Sequence, residues 1–319
     1  MIAGLDRFRA AAGRAKRRFV PTAIVLMYHR VASVESDVWN LAVSPSSFDQ
    51  HLQIMRHNGV RLMTMGELAG LLADGEVPRR SAAITFDDGY VDNLTEAQPI
   101  LERYDAPATL FVTAGEVGSP KGFWWDRLQQ MLLGGSALPD RLELHSKCWD
   151  VPVDREGRTA LYHEVWRLLA AQHHEERTRS LAHLEQWARQ SDESAAARIM
   201  NEEELRQLGD AGLVEIGSHA WTHSRLGDMA ADAQHGELKR SKARLEDIVG
   251  HRISGFSYPH GSRSAASGAI ARECGYAYAC GSRPGLVRRG TDPFDVPRLV
   301  VHDARAEAFE RFLADHLLS

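Results

Sequence analysis

Short apolar runs alternate with longer amphipathic stretches along most of this 319-residue chain, the pattern of βα units built around a parallel sheet. The rhythm predicts strands at 23–28, 60–64, 82–86, 108–112, 213–216, 254–258, 277–281 and 297–301. Helices fall between them at 46–58, 66–74, 93–104, 202–211, 230–249 and 265–274. The first helix opens on Ser44-Pro45-Ser46-Ser47-Phe48, a hydroxyl cap with proline in the first turn. Helix 230–249 carries Leu238, Leu245 and Ile248 on one stripe and charge elsewhere.

Residues 118–200 break this rhythm. Phe123, Trp124, Trp125 and Asp126 lead into a helix, a short polar segment follows, and further helices are predicted near 158–173 and 175–190. Trp149, Trp166 and Trp187 lie here too, so five of the seven tryptophans fall in one stretch. The reading is a single α/β domain over 1–319 with a mostly helical insertion at 118–200.

Composition narrows the class. A hydrophobic fraction of 44% and a charged fraction of 25% are ordinary for a globular protein and exclude disordered, collagen-like and membrane chains. A net charge of -5 supplies no basic field for nucleic acid. Arg7, Arg9, Arg14, Lys16, Arg17 and Arg18 nevertheless cluster before the first apolar run. A secretory signal is not expected, because Ala23–Met27 is too short for its apolar region and no small-residue cleavage site follows. Helix 3–18 reads as a solvated helix, with peripheral membrane contact as the alternative. No apolar run approaches the roughly 20 residues of a membrane span, so a cytoplasmic or membrane-peripheral location is expected. Cys148, Cys274 and Cys280 are odd in number and lack CxxC spacing, which fits a reducing compartment.

Candidate chemistry begins where a strand ends. Ala82-Ala83-Ile84-Thr85-Phe86 runs into Asp87-Asp88-Gly89, and parallel α/β folds gather functional groups at such ends. Gly89 permits a turn that brings both carboxylates to one pocket. Two close carboxylates repel, and a cation is the usual way to keep both ionised; one then binds metal while the other takes a proton from water. The plain alternative is that Asp88 caps a helix and Asp87 is solvated. A second strand, Val214-Glu215-Ile216, runs through Gly217 and Ser218 into His219-Ala220-Trp221-Thr222-His223. If that turn is helical, the two imidazoles lie one turn apart on one face, a spacing that suits a zinc-like ion. Two histidines and a carboxylate with open positions form a catalytic metal arrangement.

Thr85-Phe86-Asp87-Asp88-Gly89 and Ser218-His219-Ala220-Trp221-Thr222-His223 resemble the first two motifs of the polysaccharide deacetylase (NodB-homology) family, and Phe256-Ser257-Tyr258-Pro259-His260-Gly261 resembles the third. The match spans roughly 23–117 and 202–302. The resemblance implies a distorted (β/α)7 barrel and hydrolysis of N-acetyl, less often O-acetyl, groups on sugars. It implies Asp87 as general base, Asp88, His219 and His223 as ligands of a divalent metal with zinc the first choice, and a wall at Tyr258 and His260 whose backbone amide holds the oxyanion. The chain departs from the pattern where many members carry an arginine that pairs with the base: Ser257 stands there. Arg298 is a substitute, oriented by Asp295 or paired with Asp87. The general acid is open between His302, in place of the usual late Leu-x-His, and His29, which the sequence favours. The early Tyr28-His29 resembles the exopolysaccharide-processing branch. Trp221, Trp124 and Trp125 are candidates for stacking on sugar faces, with core packing of the insertion the plainer role for the last two. The expected partner is an N-acetylated glycan; an O-acetyl esterase and a small-molecule amidohydrolase are the alternatives.

Overall fold

The computed structural model describes residues 22–135, 137–189 and 197–318, so the basic helix predicted at 3–18 and its membrane contact lie outside the described residues. Among the described residues, twelve strands occur in chain order. β1 is Ala23–Tyr28, β2 Arg30–Val31, β3 Ala42–Val43, β4 Arg61–Met63, β5 Ser81–Asp88 and β6 Ala108–Val112. Further along lie β7 Arg141–Leu144, β8 Lys147–Asp150, β9 Val214–Ser218, β10 Gly255–Ser257, β11 Tyr278–Cys280 and β12 Leu299–Val300.

Seven of them run parallel in the order β11-β10-β9-β6-β5-β1-β12. β12 pairs with β1 through Leu26 and Met27. Just upstream, Val296 bridges in parallel to Cys280 of β11, so the sheet curls back on itself. The result is a distorted (β/α)7 barrel. β4 is a short spur that pairs with the first residues of β5, on the edge that β6 takes over from Ile84.

Side-chain alternation explains the two layers. Ile24, Leu26, Tyr28, Ile84, Phe86, Leu110 and Ile216 face outward into the main core beneath the helices. Ala23, Val25, Ala83, Phe111, Tyr278 and Cys280 fill the barrel interior. The interior is tight: a Cβ on Gly217 would meet Phe111 at 2.5 Å, so this residue must be glycine for the ring to fit. Caps anticipate the helix starts. Ser44 accepts from the Ser47 N–H ahead of helix Pro45–His57, and Thr64 and Asn201 form capping boxes with Glu67 and Glu204. Each such cap stabilises by about 1 kcal/mol.

Most predicted elements occur, with trimmed ends. The helix expected at 93–104 opens as a wide π turn, Asn93–Ala97, before the α-helix Gln98–Tyr104. The β2–β3 pair, the β7–β8 hairpin and helix Ala306–Leu313 were not expected. Within residues 118–200, helices Trp124–Leu133, Arg155–Ala170 and His174–Ala188 enclose an apolar cluster of their own, including Leu132, Tyr162 and Leu184.

Candidate active site

Alternation along β5 sends Ala83, Thr85 and Asp87 into the barrel and would send Asp88 outward. The backbone prevents this by entering a left-handed conformation at Asp88 itself, φ 79°, followed by Gly89 at φ 98°. The turn therefore begins one residue earlier than Gly89, and both carboxylates, 2% and 4% exposed, end in one buried pocket.

Asp87 is gripped by Arg298 in a two-pronged ion pair, with Nη1 donating to Oδ1 and Nη2 to Oδ2, each at 2.7 Å. Arg298 is itself buried and fully occupied: it also donates to the Gly281 carbonyl and to the Ser257 and Thr85 hydroxyls. Asp295 instead binds Arg263 and Arg283, so of the two roles expected for it and Arg298, pairing with Asp87 is the one formed. Ser257, where an arginine was expected, bonds the incoming guanidinium. Burial works to raise the Asp87 carboxyl, but Arg298, with His219 beside it, more than offsets this and holds it well below the usual carboxylate range.

His219 and His223 do not share a helical face. The segment after β9 is an irregular loop in which Ala220 and His223 adopt left-handed backbone, φ 64° and 54°. Glu237 pins that loop, accepting from the Trp221 and Thr222 N–H groups and the Thr222 hydroxyl. The imidazoles converge all the same. His223 Nε2 lies 3.2 Å and His219 Nε2 3.7 Å from Asp88 Oδ1. The His219 Nδ1 donates to the Ser257 carbonyl at 2.9 Å, which leaves its Nε2 lone pair facing the Asp88 oxygen. That lone pair thus points at a carboxylate oxygen that is buried and has no hydrogen-bond donor. One ligand atom from each of Asp88, His219 and His223 lies within 4.8 Å of the others. The set fits a cation of the zinc or other divalent class. Burial lowers His219 to about 4 and His223 to about 3, keeping both in the neutral form that binds metal.

The group forms the floor of an open cleft of about 310 Å³. His29 and Arg298 line it, as do Tyr258 and His260. The His29 Nδ1 is buried without a partner. His302 lies elsewhere: it is exposed, its Nδ1 donating to the Asn40 carbonyl at 2.9 Å, because the chain leaves the barrel top after β12. The Tyr258 hydroxyl is committed to the Phe294 carbonyl. Trp221 does not line the cleft; its indole packs between Gly115 and Arg240, whose guanidinium sits 4.3 Å above the ring. The aromatic wall comes from Trp39, Trp125 and Trp166 instead. Trp125 and Phe123 also pack against the His223 ring, so the insertion braces a ligand. Sequence reasoning missed Trp39 and Trp166. It also missed the chain from Trp125 Nε1 to the Tyr90 hydroxyl to Asp126, at 3.0 and 2.8 Å. The only available signal was the density of aromatic residues around Phe123-Trp124-Trp125-Asp126.

Comparison with known proteins places the fold and the family. A poly-beta-1,6-N-acetyl-D-glucosamine N-deacetylase of Staphylococcus aureus (strain MSSA476) is 31% identical over 109 residues, covering 30% of this chain and 38% of that protein. The chain spans less than half the length of the curated relatives it matches, 44% and 38% of the first two. Among solved structures, the Streptococcus pyogenes deacetylase PplD in complex with acetate superposes with a TM-score of 0.62 at 19% identity, covering 93% of this chain and 99% of that one. IcaB from Ammonifex degensii gives 0.62 at 20%, covering 92% and 96%; at such identities the likeness shows the fold. The polysaccharide deacetylase family profile matches residues 74–279, and with all three of its motifs folded around one cleft, this chain belongs to the polysaccharide deacetylase family.

Proposed function

We propose that this protein is a metal-dependent hydrolase that removes N-acetyl groups from the amino sugars of a glycan. The observation that carries the reading is the convergence of Asp88, His219 and His223 on a buried, donorless carboxylate oxygen beside the Asp87–Arg298 pair. Asp88, His219 and His223 would hold a divalent cation, which would supply Lewis-acid polarisation of the acetyl carbonyl and make water acidic at neutral pH. Asp87 accepts the proton of the attacking water; its ionised state is secured by Arg298. The backbone amide near His260 stabilises the oxyanion. His29, at the same cleft, delivers a proton to the leaving amine. Trp125 and Trp166 offer faces for sugar rings. The name of the staphylococcal relative makes a poly-N-acetylglucosamine the first substrate to try.

The test is acetate release from N-acetylglucosamine oligomers by protein loaded with zinc or cobalt, with bound metal measured in parallel. Release that disappears with chelation and returns with metal is expected. Loaded protein inert on every N-acetylated oligomer and polymer would sink the proposal.

A further inference from the structure

A second cleft, of about 370 Å³, opens on the far side of Trp166. Trp166, His223 and His260 line both clefts, so the two meet along one ridge at the metal-ligand set. Trp124 and Trp166 stack 5.7 Å apart at 28° and form one wall of the second space.

Its charge is different. Arg177 lines the second cleft at 6% exposure, and among the described residues it forms no ion pair. Its guanidinium rests over the Trp124 ring at 5.2 Å, and its one hydrogen bond is a long 3.5 Å contact to the Gln172 carbonyl. A buried guanidinium with most of its five donors unused is costly unless something supplies acceptors. Burial pulls it below its ordinary value, with Glu116 and Glu237 acting in the opposite sense from a distance.

Neighbouring groups reinforce the positive character. Arg177 stands in the first turn of the 15-residue helix His174–Ala188, whose N-terminus borders the cleft and has no side chain capping it. The free N–H groups and the helix dipole at such an end attract anions. Arg167 lines the cleft too, from an exposed position. The acids that line it are engaged: Asp228 pairs with Arg225 at 2.9 Å, and Glu237 holds the loop between the two ligand histidines. Glu175 and Glu176, though in the same first turn as Arg177, do not line the cleft.

We infer that the second cleft is a subsite for an anionic sugar, and that the glycan carries a carboxylate on a unit neighbouring the one that loses acetate. Arg177 is the recognition residue, a planar fork that matches a carboxylate. This rests on the deacetylase reading for the chemistry next door, but the anion site is measurable without it.

The probes are an oligosaccharide alternating N-acetylglucosamine with a hexuronate, and a neutral N-acetylglucosamine oligomer of equal length. The full metal-loaded chain is compared with Arg177→Met and Arg177→Lys, by titration calorimetry and by KM for acetate release. The charged oligomer should bind about 10- to 100-fold more tightly than the neutral one, the range of a charge-assisted hydrogen bond or two. Arg177→Met should collapse that ratio toward one, Arg177→Lys should keep part of it, and added salt should shrink it. A purely structural Arg177 would weaken both oligomers alike and leave the ratio unchanged; that result, or equal binding by the wild-type chain, overturns the inference. If neither oligomer yields acetate while the charged one still binds through Arg177, the deacetylase reading falls and the anion site stands.

Discussion

The barrel floor and the insertion wall face each other across one cleft and are built on opposite terms. On the floor the groups that flank the ligand set are buried and held in place: Asp87 by both arms of Arg298, His219 by the Ser257 carbonyl, the following loop by Glu237. On the wall, Trp39, Trp125 and Trp166 are partly exposed, and in the second cleft beyond it the buried Arg177 is left with donors to spare. Immobility at the floor serves chemistry, which needs atoms fixed before the substrate arrives. Spare valence on the wall serves recognition, where the missing partner is the ligand. Damage to the floor should therefore appear in turnover and stability, and damage to the wall in affinity.

The largest effect should come from Asp87→Asn. Acetate release should drop by about 10²–10⁴-fold, the share of a positioned base. Metal content, read by atomic absorption, should stay at the wild-type level; loss of metal would mean that the two aspartates have been assigned the wrong roles. Arg298→Met should come next, costing about 3–5 kcal/mol in urea unfolding because it strands a buried carboxylate. The double variant Asp87→Asn/Arg298→Met should recover part of that loss. If it is instead additive, the pair is not the constraint described here.

Acid should also act on the core between the barrel and its outer helices. His51 is buried, accepts from the Tyr28 hydroxyl, donates to the Ala304 carbonyl and stacks on Phe309 at 3.9 Å. Burial lowers it from 6.5 to about 4. The unfolded chain therefore binds the proton more readily, and the stability owed to neutral His51 is complete above about pH 6.5. It is lost as pH falls to about 4, up to about 3 kcal/mol in all. Chemical denaturation across that window should show the slope, and His51→Gln should flatten it. The smallest effect on activity belongs to the wall: Trp166→Ala should raise KM for an oligomer by up to about tenfold, with kcat nearly unchanged. A comparable fall in kcat would dissolve the division between floor and wall.

The same division decided what could be read from the chain. Asp87 and Asp88 end the largely apolar strand β5, His219 and His223 follow β9, and strand ends converge in a parallel barrel, so their meeting was legible. The path of the ligand loop was not. The i, i+4 spacing suggested a helix, whereas Glu237, brought in from helix Ala231–Val249, fixes an irregular course that no local pattern encodes. Arg298 was legible only as a candidate, since its choice between Asp87 and Asp295 depends on where Arg263 and Arg283 lie. His29 and His302 both follow barrel strands. They separate in space because the chain leaves the barrel after β12 and returns over Asn40. Trp221 was misjudged: its place between two ligands in sequence says nothing of which way the indole turns, and Arg240 draws it to the outside. The wall was hardest to read, because Trp39, Trp125 and Trp166 come from segments with no shared periodicity.

The bond between Asp87 and Arg298 also sets a schedule for biosynthesis. The two residues are 211 positions apart, and the arginine lies just before the strand that closes the barrel. At ordinary translation speeds of about 5–20 residues per second, the carboxylate waits roughly 10–40 s for its counter-ion. Until then the interior cannot shut over it without stranding a charge. The nascent chain thus carries a timer against premature closure, and a ribosome that stalls short of Arg298 should leave the barrel open to proteases.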